Sequence, residues 1–516
     1  MPMAKARSPD QSKNNLTKNL KKLDILMMPH NQTGNGHNQN PSKLRPSRRL
    51  SSLALTTAIS VLGASYAFGA LPAEAEDEKP FRIDEILNTP DWLTLSGSHR
   101  VRYSHLANQF RANLDENDEA LSFRTLLKAE AKFGNVSFVG EMQDSRALFT
   151  DENSAVSTIV VDSFELLQGY VNVRFDDVLA QGSILDLTGG RQTIDIGSRR
   201  LIARNRHRDT IQAFTGVHAH WKGADKSELR LFYVLPVLIL PNDRESLLEN
   251  KSKFNEEDFD LRLWGAFYKR PNLLLGAAGE FYVYGLNEDD DPNERQTRNR
   301  ELYTPGFRLI KSPKAGQWDF DIENTLQFGT RRASTAVTDT EDLDVFAHFH
   351  HFEVGYTWKA PWSPRLDFEF DFASGESSTT DDDANRFDSL FGPRRAEFGP
   401  TGIFGILGRE NIISPGLRIS AKPNARTDGF ISWRANWLDE NNDTFARSGV
   451  RDATGQSGSF GGHQIEGRTR YWLLKDSVRI EVGAAYFIEG NFLKNAPAAS
   501  GNGDPIFFFS DITFSF

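Results

Sequence analysis

The chain ends on an alternation that runs to its last residue. Phe508, Ser510, Ile512, Phe514 and Phe516 fall on one side, with Phe509, Asp511, Thr513 and Ser515 on the other. In a chain with no long apolar run after its leader, such a strand can hide one face in hydrocarbon while the other looks into a wet lumen. A terminal Phe on that strand points to an all-β fold, a transmembrane antiparallel β-barrel of the outer-membrane type. A length of 516 residues suits a large barrel. The mean hydropathy of −0.49 and 25% charged residues would ordinarily indicate a soluble protein. Barrels escape that inference because only alternate strand residues meet lipid and their loops are polar. The absence of cysteine excludes a disulfide framework and a thiolate metal site.

The amino end reads as a secretory leader. Arg45, Arg48 and Arg49 precede an uncharged stretch from Leu50 to Ala73, and Ala73-Glu74-Ala75 offers a cleavage site before Glu76. The rival is a membrane anchor, but Thr56, Thr57, Ser60 and Ser65 make the stretch weakly apolar. The expected organisation is therefore a leader over residues 1–75, a periplasmic lead-in over 76–91 and a barrel over 92–516. Residues 1–47 are an over-long leader, unless translation begins at Met27 or Met28. Residues 1–75 hold 10 Lys+Arg and 3 Asp+Glu of the chain's 60 and 70, so the remainder carries about −17. A strongly acidic protein repels polyanions in general, which makes the placement of its positive charges the informative question.

Period-2 alternation recurs from Trp92 onward. Phe123, Leu127, Ala129, Ala131 and Phe133 oppose Arg124, Lys128, Glu130 and Lys132. Leu366, Phe368, Phe370 and Phe372 oppose Asp367, Glu369 and Asp371, while Ile431, Trp433, Ala435 and Trp437 oppose Ser432, Arg434 and Asn436. The pattern predicts eighteen strands, the first near 93–104, the last near 506–516, and a pair at 259–269 and 272–286 joined by a turn at Lys269 to Pro271. Short connections such as Gly134-Asn135 and Lys475-Asp476 alternate with long polar ones, among them Leu286 to Arg300, Gly375 to Glu410 and Asp439 to Gly462. Short periplasmic turns and long outer loops mark a bacterial outer-membrane barrel. Trp or Tyr near strand ends, as at Trp92, Trp358 and Trp437, fits interfacial girdles.

Alternation also assigns the inward set. It includes Arg100, Arg102, Arg124, Lys128, Lys132, Arg174, Arg191, Arg308, Arg418, Arg434, Arg468 and Arg470. Guanidinium groups along an aqueous channel hold carboxylates in bidentate geometry and keep their charge at any working pH. They raise local anion concentration and lower the barrier to anion passage. The competing reading pairs them with inward acids, among them Glu130, Glu165, Asp319, Glu323, Asp367, Glu369, Asp371, Glu466 and Glu481. The densest basic stretch, Gly189 to Arg208 with Arg191, Arg199, Arg200, Arg204, Arg206, His207 and Arg208, is expected at or inside the outer mouth. Nucleic acid is not an expected partner there.

Several motifs in fixed order carry a resemblance. They are Gly190-Arg191-Gln192 with Gly197 and Arg200-Leu201; Phe387-Asp388-Ser389-Leu390-Phe391-Gly392; Ser414-Pro415-Gly416-Leu417-Arg418 through Lys422-Pro423; and Arg468 and Arg470 in Glu466-Gly-Arg-Thr-Arg. Over residues 92–516 the chain resembles the alginate export family, eighteen-stranded outer-membrane barrels that pass an acidic exopolysaccharide out of the cell. It departs from that pattern at Phe214-Thr215-Gly216, where Phe-Asp-Gly is expected. The resemblance implies export of an anionic, uronate-rich polysaccharide along a path lined by Arg100, Arg102, Arg124, Lys128, Arg191, Arg200, Arg308, Arg418, Arg434, Arg468 and Arg470. Inward Asp367, Glu369 and Asp371 could narrow or oppose such a path.

Other readings are weaker. His348 and His350 share a strand face while His351 points the other way, and no third or fourth metal ligand is legible. No nucleophile with an adjacent base stands out, so no enzyme, cofactor or metal is expected. The loop acids Glu288 to Asp291 and Asp381 to Asp383 lack the ligand spacing of a calcium loop. They read as solvated charge or as divalent bridges to lipopolysaccharide. The alternatives to export are an uptake porin for small anions or sugars, and an adhesion or structural barrel without a useful lumen. Expected partners are the polysaccharide, outer-membrane lipid and lipopolysaccharide, periplasmic secretion proteins, and the barrel-assembly machinery through Phe516.

Overall fold

The computed structural model describes residues 80–290, 296–378 and 380–516. The expected leader lies outside the described residues, as does Asp291 of the first acidic loop. Alternation becomes strand along the remainder. The first ten strands are β1 Leu93–Ala107, β2 Asn117–Phe133, β3 Val136–Leu148, β4 Asp162–Asp176, β5 Ile184–Gln192, β6 Phe214–Lys222, β7 Glu228–Leu238, β8 Glu256–Glu257, β9 Leu261–Leu274 and β10 Ala277–Glu288. The second ten are β11 Glu301–Lys311, β12 Gln317–Arg331, β13 Leu343–Thr357, β14 Arg365–Ala373, β15 Asp383–Ala384, β16 Ile412–Asn424, β17 Thr427–Trp437, β18 Phe460–Leu474, β19 Val478–Glu489 and β20 Ile506–Ser515.

Eighteen of these form one antiparallel barrel, each paired with its neighbours in sequence, and β1 closes the ring on β20 through Ser98↔Ser515 to Ala107↔Ile506. The other two are two-residue strands: β8 pairs with β7, and β15 runs parallel to β13. Closure leaves no unpaired edge, which a strand in hydrocarbon requires. Eight short turns occupy one end and nine longer connections the other, the longest being 374–411, 438–459, 239–260 and 193–213. The first and last strands begin and end at the short-turn end.

One turn differs from expectation. The chain reverses at Leu275-Gly276, with φ of 54° and 77°, and not at Lys269 to Pro271. Positive φ at both central residues suits the twist of a two-residue hairpin. Pro271 sits inside β9 where the ladder to β10 shifts register, so its missing N–H is accommodated.

The outward phase is apolar and exposed, with Leu326, Phe328, Phe368, Leu417, Ile419 and Trp433 among its residues. Aromatic pairs mark both rims. Trp92–Phe133, Trp318–Tyr356 and Tyr356–Trp358 lie within 5.3 Å at the short-turn end. Trp264–Tyr303 and Trp437–Phe460 stand 6.1 and 5.1 Å apart at the long-loop end. These are the girdles of a membrane barrel.

The inward phase is not uniformly wet. The long connections fold into the barrel and bring apolar residues of their own, including Leu201, Phe387, Phe404, Ile406 and Phe445, each at most 3% exposed. Phe404 stacks on inward Phe507 at 5.2 Å, and Phe387 on inward Phe349 at 5.7 Å. In the connection after β14, residues 384–411 fold inside the barrel, while Asp381, Asp382 and Asp383 stay exposed.

The last strand is pinned beside the first. Gly97 N–H donates to Phe516 O at 2.8 Å and Phe516 N–H returns to Gly97 O at 3.1 Å. A Cβ on Gly97 would stand 2.5 Å from Leu126 O and 2.7 Å from the Phe516 ring, so the terminal ring needs glycine there. Substituting Phe516 by Ser is expected to lower the yield of heat-modifiable barrel in outer-membrane fractions, and Gly97→Val to do so less. Wild-type yield in Phe516→Ser would contradict the role of that ring.

Candidate lumen path

Two inward arms build the interior, and the motifs singled out in sequence meet where they cross. Arm 193–213 leaves β5, and arm 374–411 joins β14 to β16. Phe391 N–H donates to Leu201 O at 2.9 Å, and a Cβ on Gly392 would run into Arg200 O. Glycine at 392 is what lets the arms cross. Glu397, on the short helix Arg395–Phe398, then accepts from Arg200 Nε at 2.9 Å and from Arg409. Arg200 continues to the wall, reaching Glu323 at 2.6 Å and Asp321 at 3.2 Å. One guanidinium thus ties both arms to β12.

The wall is divided by charge. From β10 to β17 nearly every inward arginine is met by acids. Arg308 holds Asp321 at 2.7 Å and Glu280 at 2.9 Å. Arg365 reaches Asp319, Glu353 and Asp367, the last two at 2.6 Å. Arg434 donates to Asp371 at 2.8 Å, to Ser414 Oγ at 3.1 Å and to Glu369. Arg418 takes the other side of Glu369 at 3.0 Å. The inward acids Asp367, Glu369 and Asp371 are consumed here. Glu353, Asp367 and Glu369 come within 4.8 Å of one another, but Arg365 and Arg418 reach into that group in place of a cation.

The opposite arc keeps a basic surplus. Arg100 pairs with Asp209 at 2.6 Å and Arg102 with Asp511 at 2.8 Å. Arg124 donates to the carbonyls of Arg206 and Arg208 at 3.3 and 2.9 Å, holding the first arm against β2. Lys128 pairs with Glu130 at 3.1 Å. Arg468 and Arg470 share the single carboxylate of Asp428, each at 2.9 Å. Between this arc and the arms lies a cavity of about 330 Å³, lined by nine arginines, Arg206, Arg395 and Arg479 among them, against the carboxylates of Glu397 and Glu481. His207 also lines it. Burial, then the charges of Arg102, Arg395, Arg100 and Arg468, hold its pKa well below the usual imidazole value.

A second cavity of about 610 Å³ opens at the long-loop end, with Arg298, Arg386, Arg447 and Arg451 beside Glu410 and Asp443. Arg394 links the two electrostatically: it adjoins Arg395 of the inner cavity, and burial, then Arg447 and Arg208, lower its pKa.

Of the sequence-derived path residues, the phase of the strands turns Arg100, Arg102, Arg124, Lys128, Arg308, Arg418, Arg434, Arg468 and Arg470 inward, and Arg200 arrives by the arm. Arg191 has the outward backbone phase of Leu187 and, across the ladder, of Val217, but its guanidinium is held by Glu165, opposite inward Gln143, at 2.5 Å and by Glu257 at 2.8 Å. The glycine pair before Arg191 carries no side chain through which its parity could be read. Thr215, opposite Arg191 and the point of departure from the family pattern, donates to the same Glu257. His348 and His350 face outward, while His351 faces in and bonds Asp371 at 2.7 Å. Arg395 and Arg409 escaped the sequence reading because they lie on an aperiodic arm. Arg479 and Phe430 were reachable by alternation, from their pairing opposite Trp472 and Arg468.

Removing Glu397 takes one of three carboxylates from buried Arg200 and leaves buried Arg409 with backbone carbonyls alone. Glu397→Ala is expected to cost about 3 kcal/mol in urea-monitored stability and to expose residues 384–411 to protease. Unchanged cleavage and stability would show that the arms are held by other contacts.

Residues 91–506 match the family model described as alginate export. In fold the chain is similar to the outer membrane protein OpdK of Pseudomonas aeruginosa, at 12% identity over 82% of this chain and 98% of that one, TM-score 0.51. It is also similar to a BenF-like porin from Pseudomonas fluorescens Pf-5, at 10% identity over 83% and 99%, TM-score 0.53. OccAB1 of Acinetobacter baumannii shares 13% identity over 86% and 100%, TM-score 0.51. A search of curated proteins finds no significant match. The closed barrel, its girdles and these likenesses make the chain a bacterial outer-membrane channel, and it belongs to the alginate export family.

Proposed function

We propose that this channel exports an anionic, uronate-rich polysaccharide along the basic arc of its lumen. The observation that carries the reading is the inner cavity, where nine arginines face two carboxylates in a chain of net charge −10. Positive charge concentrated inside an acidic protein favours anions where they must pass and nowhere else. The internal acids matter as much as the arginines. Asp428 and Glu481 compete with a passing carboxylate for the same N–H donors, so each stop binds weakly enough to be left. A polymer then advances by exchanging one partner for the next.

Uptake of small anions or sugars is the second reading. It is favoured by the inward arms, beside which the lumen space lies in cavities of 330 and 610 Å³. Planar-bilayer recording separates the two. An export channel is anion-selective and is blocked by uronate oligomers, whereas a general uptake porin also passes neutral sugars. Periplasmic secretion proteins belong to the export reading as partners at the short-turn end.

Arg468→Glu combined with Arg470→Glu is expected to move the reversal potential in a salt gradient toward cation preference, and an unmoved potential would remove these two from the path. With guanidinium as the lining group and burial lowering the pKa of His207, selectivity is expected to show no step in the ordinary imidazole range. A step near pH 6.5 would mean that an imidazole sets it.

A further inference from the structure

Phe430 faces a charged stretch of lumen where an aromatic ring has no lipid to meet. It shares the inward phase of Ser432 and Arg434 on β17 and lies opposite Arg468 of β18. The apolar clusters of the interior do not include it. Three guanidinium carbons surround its ring instead: Arg418 at 4.8 Å, Arg468 at 4.9 Å and Arg395 at 5.9 Å from the centroid. Two residues beyond Arg470, inward Trp472 receives that guanidinium at 5.5 Å. Phe430 is four residues into β17 and Trp472 two from the end of β18, so both stand near the short-turn end.

The rings change what these arginines can do. Each already has an acid within reach: Glu466 for Arg395, Glu369 for Arg418, and Asp428 for Arg468 and Arg470. A long side chain with only an acid to hold it closes down on that acid and spends its fork of N–H donors there. Stacking uses the face of the guanidinium and leaves its donor edges available, and the ring's negative face offsets the repulsion between neighbouring cations. Asp428 cannot satisfy two guanidiniums fully, which leaves donors free beside both rings.

We propose that Phe430 and Trp472 are positioning residues of the polymer path, holding Arg395, Arg418, Arg468 and Arg470 splayed at the periplasmic entrance so that successive uronate carboxylates find unspent donors. This rests on the export reading above. The rings set the geometry of the arginines and not the net charge, so their removal weakens capture of a charged oligomer.

The test is single-channel block by trimannuronate added at the short-turn side, with maltotriose as the uncharged control, for wild type, Phe430→Leu, Trp472→Leu and Phe430→Tyr. Heat-modifiability confirms assembly of each variant. Should Phe430→Leu fail to assemble, Phe430→Met, of similar volume and without a ring, takes its place. The ring-less variants are expected to bind trimannuronate roughly three- to tenfold more weakly, with shorter blocked dwells. Phe430→Tyr is expected to restore the wild-type dwell, which a merely space-filling role for the ring does not predict of Tyr alone over Met. Wild-type block in assembled Phe430→Leu or Phe430→Met and in Trp472→Leu would overturn the inference while leaving export intact. Absence of trimannuronate block in the wild type would instead overturn the export reading on which it rests.

Discussion

Everything in this molecule depends on one closure, the ladder between β1 and β20. A sheet in hydrocarbon cannot leave N–H and C=O groups unpaired, so joining the last strand to the first lets the other strands exist where they do. Closure also gives each strand two environments. Trp433 and Phe368 take the outer one, and Arg434 and Glu369, one residue along, take the inner. A lumen wall of such charge density is possible because the neighbouring residue, not the same one, meets lipid.

The inner face then has to satisfy what it carries. On one arc it does so internally: Arg308, Arg365, Arg418 and Arg434 are met by acids of the same or nearby strands. Buried ion pairs of this kind are weak evidence for stability, because desolvation offsets most of their attraction, but they specify one arrangement among many. Arg200 illustrates the point. Its three carboxylate partners come from β12 and from the second arm, so only one seating of both arms satisfies them all. The other arc leaves its surplus to solvent and to whatever passes.

Much of this was legible in the sequence, and the failures have physical causes. Period 2 located the strands, gave opposite faces to His350 and His351, and put both chain ends of the barrel on the short-turn side. It gave the wrong backbone phase at Arg191 because Gly189 and Gly190 interrupt the alternation that would have fixed it. It misplaced the turn of β9 because Pro271 reads as a breaker, whereas a register shift absorbs it. The arms were beyond its reach. Ile403, Phe404, Ile406 and Leu407 announce an apolar segment, but no periodicity says whether a loop folds over the mouth or into it. Arg395 and Arg409 were lost with it. Two of the motifs quoted for the family meet in the structure, where Arg200-Leu201 and Phe391-Gly392 touch across 190 residues of chain.

Because the chain contains no cysteine, single cysteines can report the two environments without background. The most direct measurement places one at position 470 and one at position 433, and follows bilayer current during exposure to water-soluble thiol reagents of either charge. The account predicts that Arg470→Cys is modified with a step in current, faster by the anionic reagent, while Trp433→Cys is untouched by both. Equal modification at the two positions would contradict it, because the two faces of the strand would then share one solvent.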